Sequence, residues 1–376
     1  MTKQPMQSKF SFFETELMAT LLEKAQEYQG KTHPNPLVAA AIYKDNTIIS
    51  YGVHKKKGSH HAEVEAILSA KGETHGASLM VTLEPCTHTG ATPPCVEAII
   101  NAGIKDVIYA CDDPNEQVRK QGAQEILEAH GITVRSGLLA EDAINLNQAY
   151  MYAKRNKRPY IHLKAGMSLD GKIALASGES CYITNEASRK KVHEIRAGVD
   201  AIAIGMGTLV ADNPKLTVRY NLLKDQQKAP KIIVIGQQFL DKEYEIFKSG
   251  YETILATSNE STIKNQFSDV WCIPDQENPG INWDYFLNKC YENDIYSVLI
   301  EGGRNLFSDV LTAGIVNQCS FFIAPKLFGQ EDAISVVTLA PVHHLTDVLS
   351  LTNIKSEQLD DNIYITGFCN DNTMLN

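Results

Sequence analysis

At 376 residues the chain is long enough for two domains with ample cores. Its 21% charged and 43% hydrophobic residues are those of an ordinary soluble protein, and a net charge of −10 argues against nonspecific nucleic-acid binding, so a phosphate-ester ligand must be met by local arginines. Residues 1–10 are polar with no apolar run behind them, no stretch is apolar enough to span a bilayer, and eight cysteines in so long a chain do not suggest a disulfide framework; the expectation is a cytoplasmic protein without membrane association.

Apolar residues at Leu17, Met18, Leu21, Leu22 and Ala25 give residues 13–28 a helical face. Pro34 and Pro36 make 32–36 a loop. Strands over 38–43 and 47–51 are joined by an Asp45-Asn46 turn. A helix opens at His61 and runs through Ala70. A strand over 79–83 delivers Cys86, and Cys95 begins a helix over 96–102. A strand (106–110), a helix (121–130) and a strand (132–134) follow, and the alternation predicts a mixed sheet with helices on both faces. Residues 152–159 are basic, lack apolar periodicity and end at Pro159; they read as a solvated linker between domains at 10–151 and 159–370. Beyond it come strands over 160–165, 201–204, 232–235 and 297–300, the last followed by a helix over 304–313.

The chemistry is concentrated in His61-Ala62-Glu63, Pro85-Cys86 and Pro94-Cys95. One imidazole and two thiolates are donors that zinc prefers, and zinc brings the pKa of bound water to roughly 7. Glu63, two residues from the histidine, can carry a proton from that water to a leaving amine. His-x-Glu, then Pro-Cys and a further Cys, mark the zinc nucleobase deaminases. The turn-rich loop between Cys86 and Cys95 departs from the Cys-x-x-Cys of deaminases that act on nucleic acid. A structural zinc clip would need a fourth protein ligand, for which His60 and His88 are candidates. A helix start at Cys95 suits a thiolate. Cys111, Cys181, Cys272, Cys290, Cys319 and Cys369 read as reduced packing residues.

Thr82-Leu83-Glu84-Pro85-Cys86-Thr87-His88-Thr89-Gly90, closed by Thr92-Pro93-Pro94-Cys95, resembles the bifunctional deaminase–reductases of riboflavin biosynthesis. Thr32-His33-Pro34-Asn35-Pro36-Leu37-Val38 and Gly58-Ser59-His60-His61-Ala62-Glu63 strengthen the likeness. It continues through Met167-Ser168-Leu169-Asp170-Gly171-Lys172, Ala211-Asp212-Asn213-Pro214, Leu216-Thr217-Val218-Arg219, Ile300-Glu301-Gly302-Gly303 and Ala324-Pro325-Lys326, covering about Glu14 to Phe368. The resemblance implies an α/β protein: a cytidine-deaminase-like three-layer α/β/α domain, then a dihydrofolate-reductase-like α/β domain. It implies zinc on His61, Cys86 and Cys95, with Glu63 as catalytic proton carrier. The implied substrate is a phosphorylated pyrimidine, 2,5-diamino-6-(5-phosphoribosylamino)pyrimidin-4(3H)-one. It is deaminated to the uracil, whose ribosyl group the second domain then reduces to ribityl with NADPH. A homo-oligomer, dimer or tetramer, is implied as well.

Carried over by position, Asn35 falls where the family meets pyrimidine and sugar, though a turn residue is an equal reading. Ser180, Arg196, Leu216, Arg219 and Glu301 fall at reductase substrate positions, and Lys164 enters the same site. By themselves the two arginines read as helix-surface or strand-edge cations and Lys164 as a solvated strand lysine. Gly166, Tyr182, Thr208, Asp212 and the run Gly303, Arg304, Asn305, Leu306, Phe307, Ser308 and Asp309 fall where the family holds NADPH. Independently, Gly302-Gly303 between strand and helix lets backbone approach a ligand and aims a helix N-terminus at phosphate. Gly205-Met206-Gly207 lacks the third glycine of a Rossmann fingerprint, Val210 standing there, so a Rossmann fold is excluded. Read alone, either glycine pair is a tight turn.

The chain departs from the family pattern in several places. Tyr182 stands for a tryptophan, Asn213 for an aspartate, Ala39-Ala40 for Gly-Cys and Lys120 for a glycine; the proline that usually follows Asp113-Pro114-Asn115 is lost. Lys231 and Gly236 replace an arginine and an aspartate, which leaves NADPH over NADH open. Two rival readings are a nucleic-acid deaminase, opposed by net acidity and the long Cys86–Cys95 loop, and a zinc-stabilised binding protein without turnover.

Overall fold

The computed structural model describes residues 9–89, 93–116, 122–179, 183–223, 227–236, 243–258, 267–274 and 281–369. Ser180, Tyr182, Cys181 and Lys120 lie outside them. The chain divides into two compact units, residues 1–156 and 157–374.

The first unit is built on a five-stranded sheet of order β2-β1-β3-β4-β5, with β1 (Ala39–Lys44), β2 (Thr47–Val53), β3 (Ser78–Val81), β4 (Asp106–Tyr109) and β5 (Thr133–Ser136). β1 runs antiparallel to β2 and β3, and β3, β4 and β5 are parallel. Residues 39–43 of β1 are all buried, as a strand covered on both faces must be. The β1–β2 hairpin turns through Asp45 and Asn46, both left-handed at φ 49° and 59°, a conformation these two residues tolerate.

Helix α1 (Phe12–Gln26) starts in a capping box. Ser11 Oγ accepts from Glu14 N–H at 3.2 Å, and Glu14 Oε2 accepts from Ser11 N–H at 2.7 Å. α1 lies against β1 and β3, whereas α2 (Ala62–Ser69) lies against β2 and β1 and touches α3 (Cys95–Asn101), which touches α4 (Ala123–Ala129). α2 sits so low on the sheet that a Cβ at Gly52 would be 2.1 Å from the Ala62 carbonyl oxygen. Only glycine permits that approach, and it sets the height of the helix start that bears His61 and Glu63.

After α5 (Ala140–Leu146), residues 148–156 form α6 (Gln148–Asn156), with Met151 and Ala153 buried. The stretch expected to be a solvated linker from Tyr152 onward is therefore helical as far as Asn156. Nothing before Pro159 breaks a helix, and long basic side chains are compatible with one; counting charge obscured the buried positions.

In the second unit nine strands form one sheet, order β11-β10-β9-β8-β12-β6-β13-β16-β15. They are β6 (Tyr160–Ser168), β8 (Ala201–Gly205), β9 (Lys231–Ile235), β10 (Thr253–Thr257), β11 (Asp269–Cys272), β12 (Ser297–Glu301), β13 (Gln318–Ala324), β15 (Thr352–Leu359) and β16 (Asn362–Phe368); a short β7 (Lys172–Ala174) pairs with β14 (Ile334–Ser335). Strands β11 to β13 across this order are parallel, and β16 and β15 add antiparallel at one edge. Alternate residues enter two separate cores. Ala201, Ala203, Ile233, Ile235, Ile254 and Ala256 join one; Ile202, Ile204, Ile232, Val234 and Leu255 join the other. The unit's helices are α7 (Glu186–Ala197), α8 (Met206–Asp212), α9 (Trp283–Glu292) and α10 (Arg304–Thr312). Among the described residues no helix is long and apolar enough to cross a membrane.

Candidate active sites

The first site lies at one end of the first unit's sheet. His61 is the extended residue that begins α2, Cys86 follows the end of β3, and Cys95 is the first residue of α3. His61 Nδ1 is 3.2 Å from Cys95 Sγ and 3.4 Å from Cys86 Sγ, and the three donor atoms lie within 4.8 Å of one another. Cys95 N–H donates to Cys86 Sγ at 3.4 Å. The Cys95 thiol beside it draws Cys86 down to about 4 against burial, with His61 assisting, and Cys95 is pushed up by the same hydrogen bond. A thiolate, a second thiol sharing its proton and an imidazole at these separations fit a tetrahedral zinc ion.

Glu63, 4% exposed, sits in the first turn of α2. Burial, and then the Cys86 thiolate, push its carboxyl up to about 7. Such a group exchanges a proton readily near neutrality.

His61, Glu63 and Cys86 open on a cavity of about 260 Å³. Asn35 lines it, and its Nδ2 is 3.0 Å from His54 Nε2, while His54 Nδ1 faces the His60 carbonyl at 3.0 Å. Burial lowers the His54 pKa, so the ring is neutral, donating at Nδ1 and accepting from Asn35. His88 lines the cavity with Nδ1 buried and unpartnered, and His60 is exposed. Among the described residues neither joins the metal-capable group, which has three members and so leaves a fourth position for water or substrate.

His54, Glu84, Asp113, Asn115 and Tyr150 also line the cavity, and sequence reasoning assigned none of them to a site. The Asp113-Pro114-Asn115 run was visible only as part of a motif. Nothing local marked Tyr150, which lies in the helix that resembled a linker.

The second site lies at the C-terminal ends of β6, β8 and β12, where parallel α/β sheets place ligands. Glu301 ends β12 in register with Lys164 on β6. Its carboxylate accepts from Arg196 Nε at 2.5 Å and Nη2 at 2.8 Å, and Lys164 Nζ is 2.7 Å away. Burial alone would raise the Glu301 pKa, yet Arg196 and Lys164 hold it well below the usual carboxylate range. Both cations are thus tied to one buried carboxylate, a fixed polar floor rather than two independent anion grips.

Above that floor is a cavity of about 670 Å³. Lys164, Gly166, Arg196, Thr208, Asp212, Leu216 and residues 301 and 303–307 line it. Ser308, Asp309 and Arg219 are not among its lining residues. Ser308 Oγ donates to the Arg304 carbonyl, and Arg219 N–H donates to His193 Nδ1 at 3.1 Å. Arg189 and Thr184 line the cavity unanticipated, their link being a 2.7 Å bond from Arg189 Nη1 to the Thr184 carbonyl. Gly205 begins α8 and Gly303 begins α10, and Gly303 N–H donates to Thr208 Oγ1 at 3.0 Å. Gly207 also lines the cavity, and a Cβ there would project into open space. That bare backbone suits an elongated, phosphate-bearing cofactor.

A zinc-binding deaminase domain followed by a reductase domain defines a bifunctional deaminase–reductase. The family model for the cytidine and deoxycytidylate deaminase zinc-binding region matches residues 13–111, and that for the RibD C-terminal domain matches residues 159–365. Riboflavin biosynthesis protein RibD of Escherichia coli is 36% identical over 340 residues, covering 88% of this chain and 92% of its own. Its counterpart in Bacillus amyloliquefaciens is 36% identical over 359 residues, covering 94% and 96%. Among solved structures, Acinetobacter baumannii RibD matches with a TM-score of 0.86 at 32% identity, over 95% of this chain and 99% of that one. The diaminohydroxyphosphoribosylaminopyrimidine deaminase/5-amino-6-(5-phosphoribosylamino)uracil reductase of Thermotoga maritima matches at 0.84 and 32%, with the same coverage. The chain belongs to the RibD family of riboflavin biosynthesis proteins.

Proposed function

We propose that the first unit deaminates 2,5-diamino-6-(5-phosphoribosylamino)pyrimidin-4(3H)-one and that the second reduces the ribosyl group of the resulting uracil to ribityl. The observation that carries this reading is the convergence of His61, Cys86 and Cys95 beside buried Glu63. Zinc held by those three side chains would supply Lewis-acid polarisation of a water. Glu63 takes a proton from that water at its carboxylate and delivers one to the departing ammonia; its pKa near 7 suits both transfers. Asn35, held by neutral His54, orients the ring and sugar.

In the second unit NADPH, bound along Gly166, Thr208, Asp212 and residues 303–307, would supply the hydride for the sugar C1′. Glu301 fixes Lys164 and Arg196 beneath the substrate, and Leu216, Arg219 and Ser180 complete its site. Lys164 Nζ lies 2.7 Å from the Glu301 carboxylate on the wall of the same cavity.

A homo-oligomer is part of the same reading. Val342, Leu345, Val348, Leu349 and Ile354 are exposed apolar side chains close together in sequence, Leu345 92% so. Light scattering should give twice the chain mass or more. Cys86, Cys95, Cys111, Cys290, Cys319 and Cys369 are thiols not joined in disulfides, which suits a reducing compartment such as the cytoplasm.

The deciding experiment incubates zinc-loaded protein with the diaminopyrimidinone substrate, with and without NADPH, and identifies products by mass spectrometry. Deaminated ribosyl product without NADPH, and ribityl product only with it, is expected. Deamination alone under both conditions would remove the cofactor assignment.

A further inference from the structure

We propose that Glu84 is a positioning residue of the deaminase pocket, fixing the wall formed by Asp113, Asn115 and Tyr150 against the zinc-ligand end of β3. This rests on the deaminase reading given above. Glu84 is two residues from Cys86 and 8% exposed, and it lines the cavity. Among the described residues no cation pairs with it. Its partners are main-chain groups far along the chain: its N–H donates to the Cys111 carbonyl at 2.9 Å, Oε2 accepts from Asp113 N–H at 3.2 Å, and Oε1 accepts from Ala123 N–H at 3.0 Å.

The segment leaving β4 is thereby held at three points by one residue. Without such ties it would be an ordinary surface connection, the kind of segment that moves most in a fold. From this segment Asp113 is passed on in turn. Its Oδ1 accepts from Asn115 N–H at 2.9 Å and from the Tyr150 hydroxyl at 3.1 Å. Glu84, Asp113, Asn115 and Tyr150 therefore form one connected polar wall, and all four line the cavity. Burying a carboxylate is costly, and the two main-chain N–H groups that Glu84 accepts from offset that cost. The ligand end of β3 and the recognition wall share this residue, so the wall's position is set relative to the reacting atom. The wall meets the ring edge equally in the bound substrate and in the transition state, so loosening it removes uniform binding, which raises KM with little change in kcat.

The test is Glu84→Gln in the full-length, zinc-loaded chain. The amide keeps the volume but turns an NH₂ toward one of the two N–H groups, so one bond is lost. KM for the diaminopyrimidinone substrate should rise about tenfold with kcat within about twofold, while zinc content and NADPH-dependent reduction stay unchanged. Tyr150→Phe, which deletes only the hydroxyl on Asp113, should raise KM about threefold. The Kd of the deaminated product, measured by calorimetry, should weaken in parallel; this readout needs no turnover. Unchanged KM and Kd in both variants would overturn the proposal, as would a fall in kcat with zinc loss at constant KM. Failure of the unaltered chain to deaminate would instead overturn the functional reading, and the calorimetric comparison would still decide the role of Glu84.

Discussion

Glu63 and Glu301 are both buried carboxylates, yet their surroundings drive them in opposite directions. For Glu63, burial and the nearby Cys86 thiolate outweigh the opposing charge of His61 and push the pKa up to about 7; Glu301 is gripped by Arg196 and Lys164 and held far down. Glu63→Ala should therefore retain zinc, lose deamination by at least about a hundredfold and leave reduction intact, as separate assays of the two steps on one preparation will report. Glu301→Gln should be destabilising by roughly 3–5 kcal/mol, because two buried cations lose their partner. Its pH signature has a definite sign. The folded carboxyl binds its proton only far below its ordinary value of 4.5, so the unfolded chain takes up the proton first as pH falls. The stabilisation from Glu301 is whole above that value and is lost progressively below it. Denaturant unfolding between pH 7 and pH 3 should show a shallower acid decline in the variant than in the unaltered chain.

At the scale of elements, the zinc ligands are strand and helix ends whose placement follows from packing behind them. Gly52→Ala would drive a methyl group into the Ala62 carbonyl, 2.1 Å from its ideal position, and so lift the start of α2. About 1–3 kcal/mol of stability should go with it, together with zinc affinity and deamination, while reduction is spared; metal analysis and the two assays check this. Much of this site was legible in the sequence, since His61, Glu63, Cys86 and Cys95 lie in compact motifs and each sits where a strand or helix was expected to end or begin. What was not legible depends on long-range contact. The Arg196–Glu301 pair spans 105 residues, the Glu84–Asp113 bond 29 and the Asn35–His54 bond 19; several of these residues lie in motifs, but no local pattern says which partner each one meets. α6 was missed for a different reason. Its basic residues mask a helix that buries only Met151 and Ala153, too few for a visible period.

For the whole molecule, two reactions share a chain whose two units each have their own sheet and their own cavity. Metal dependence should then be confined to one of them. Removing zinc with a strong chelator should abolish deamination and leave reduction of supplied ribosylamino-uracil within about twofold of its starting rate; zinc should restore the first step. Loss of both activities together would show that the reductase needs the metal-bound first unit.

The alternation of β8, β9 and β10 between two cores has a consequence for how this reductase sheet can change over time. Each of these strands is a frame of two. Deleting or adding one residue within 231–235 would send Ile233 and Ile235 into the space of Ile232 and Val234, exchanging the contents of both cores at once. Such a strand can drift in side-chain identity but not in length. Insertions and deletions are confined to strand ends, and for β8, which shares this frame, the end at Gly205 lines the second unit's cavity, so there the freedom to vary length lies beside the site.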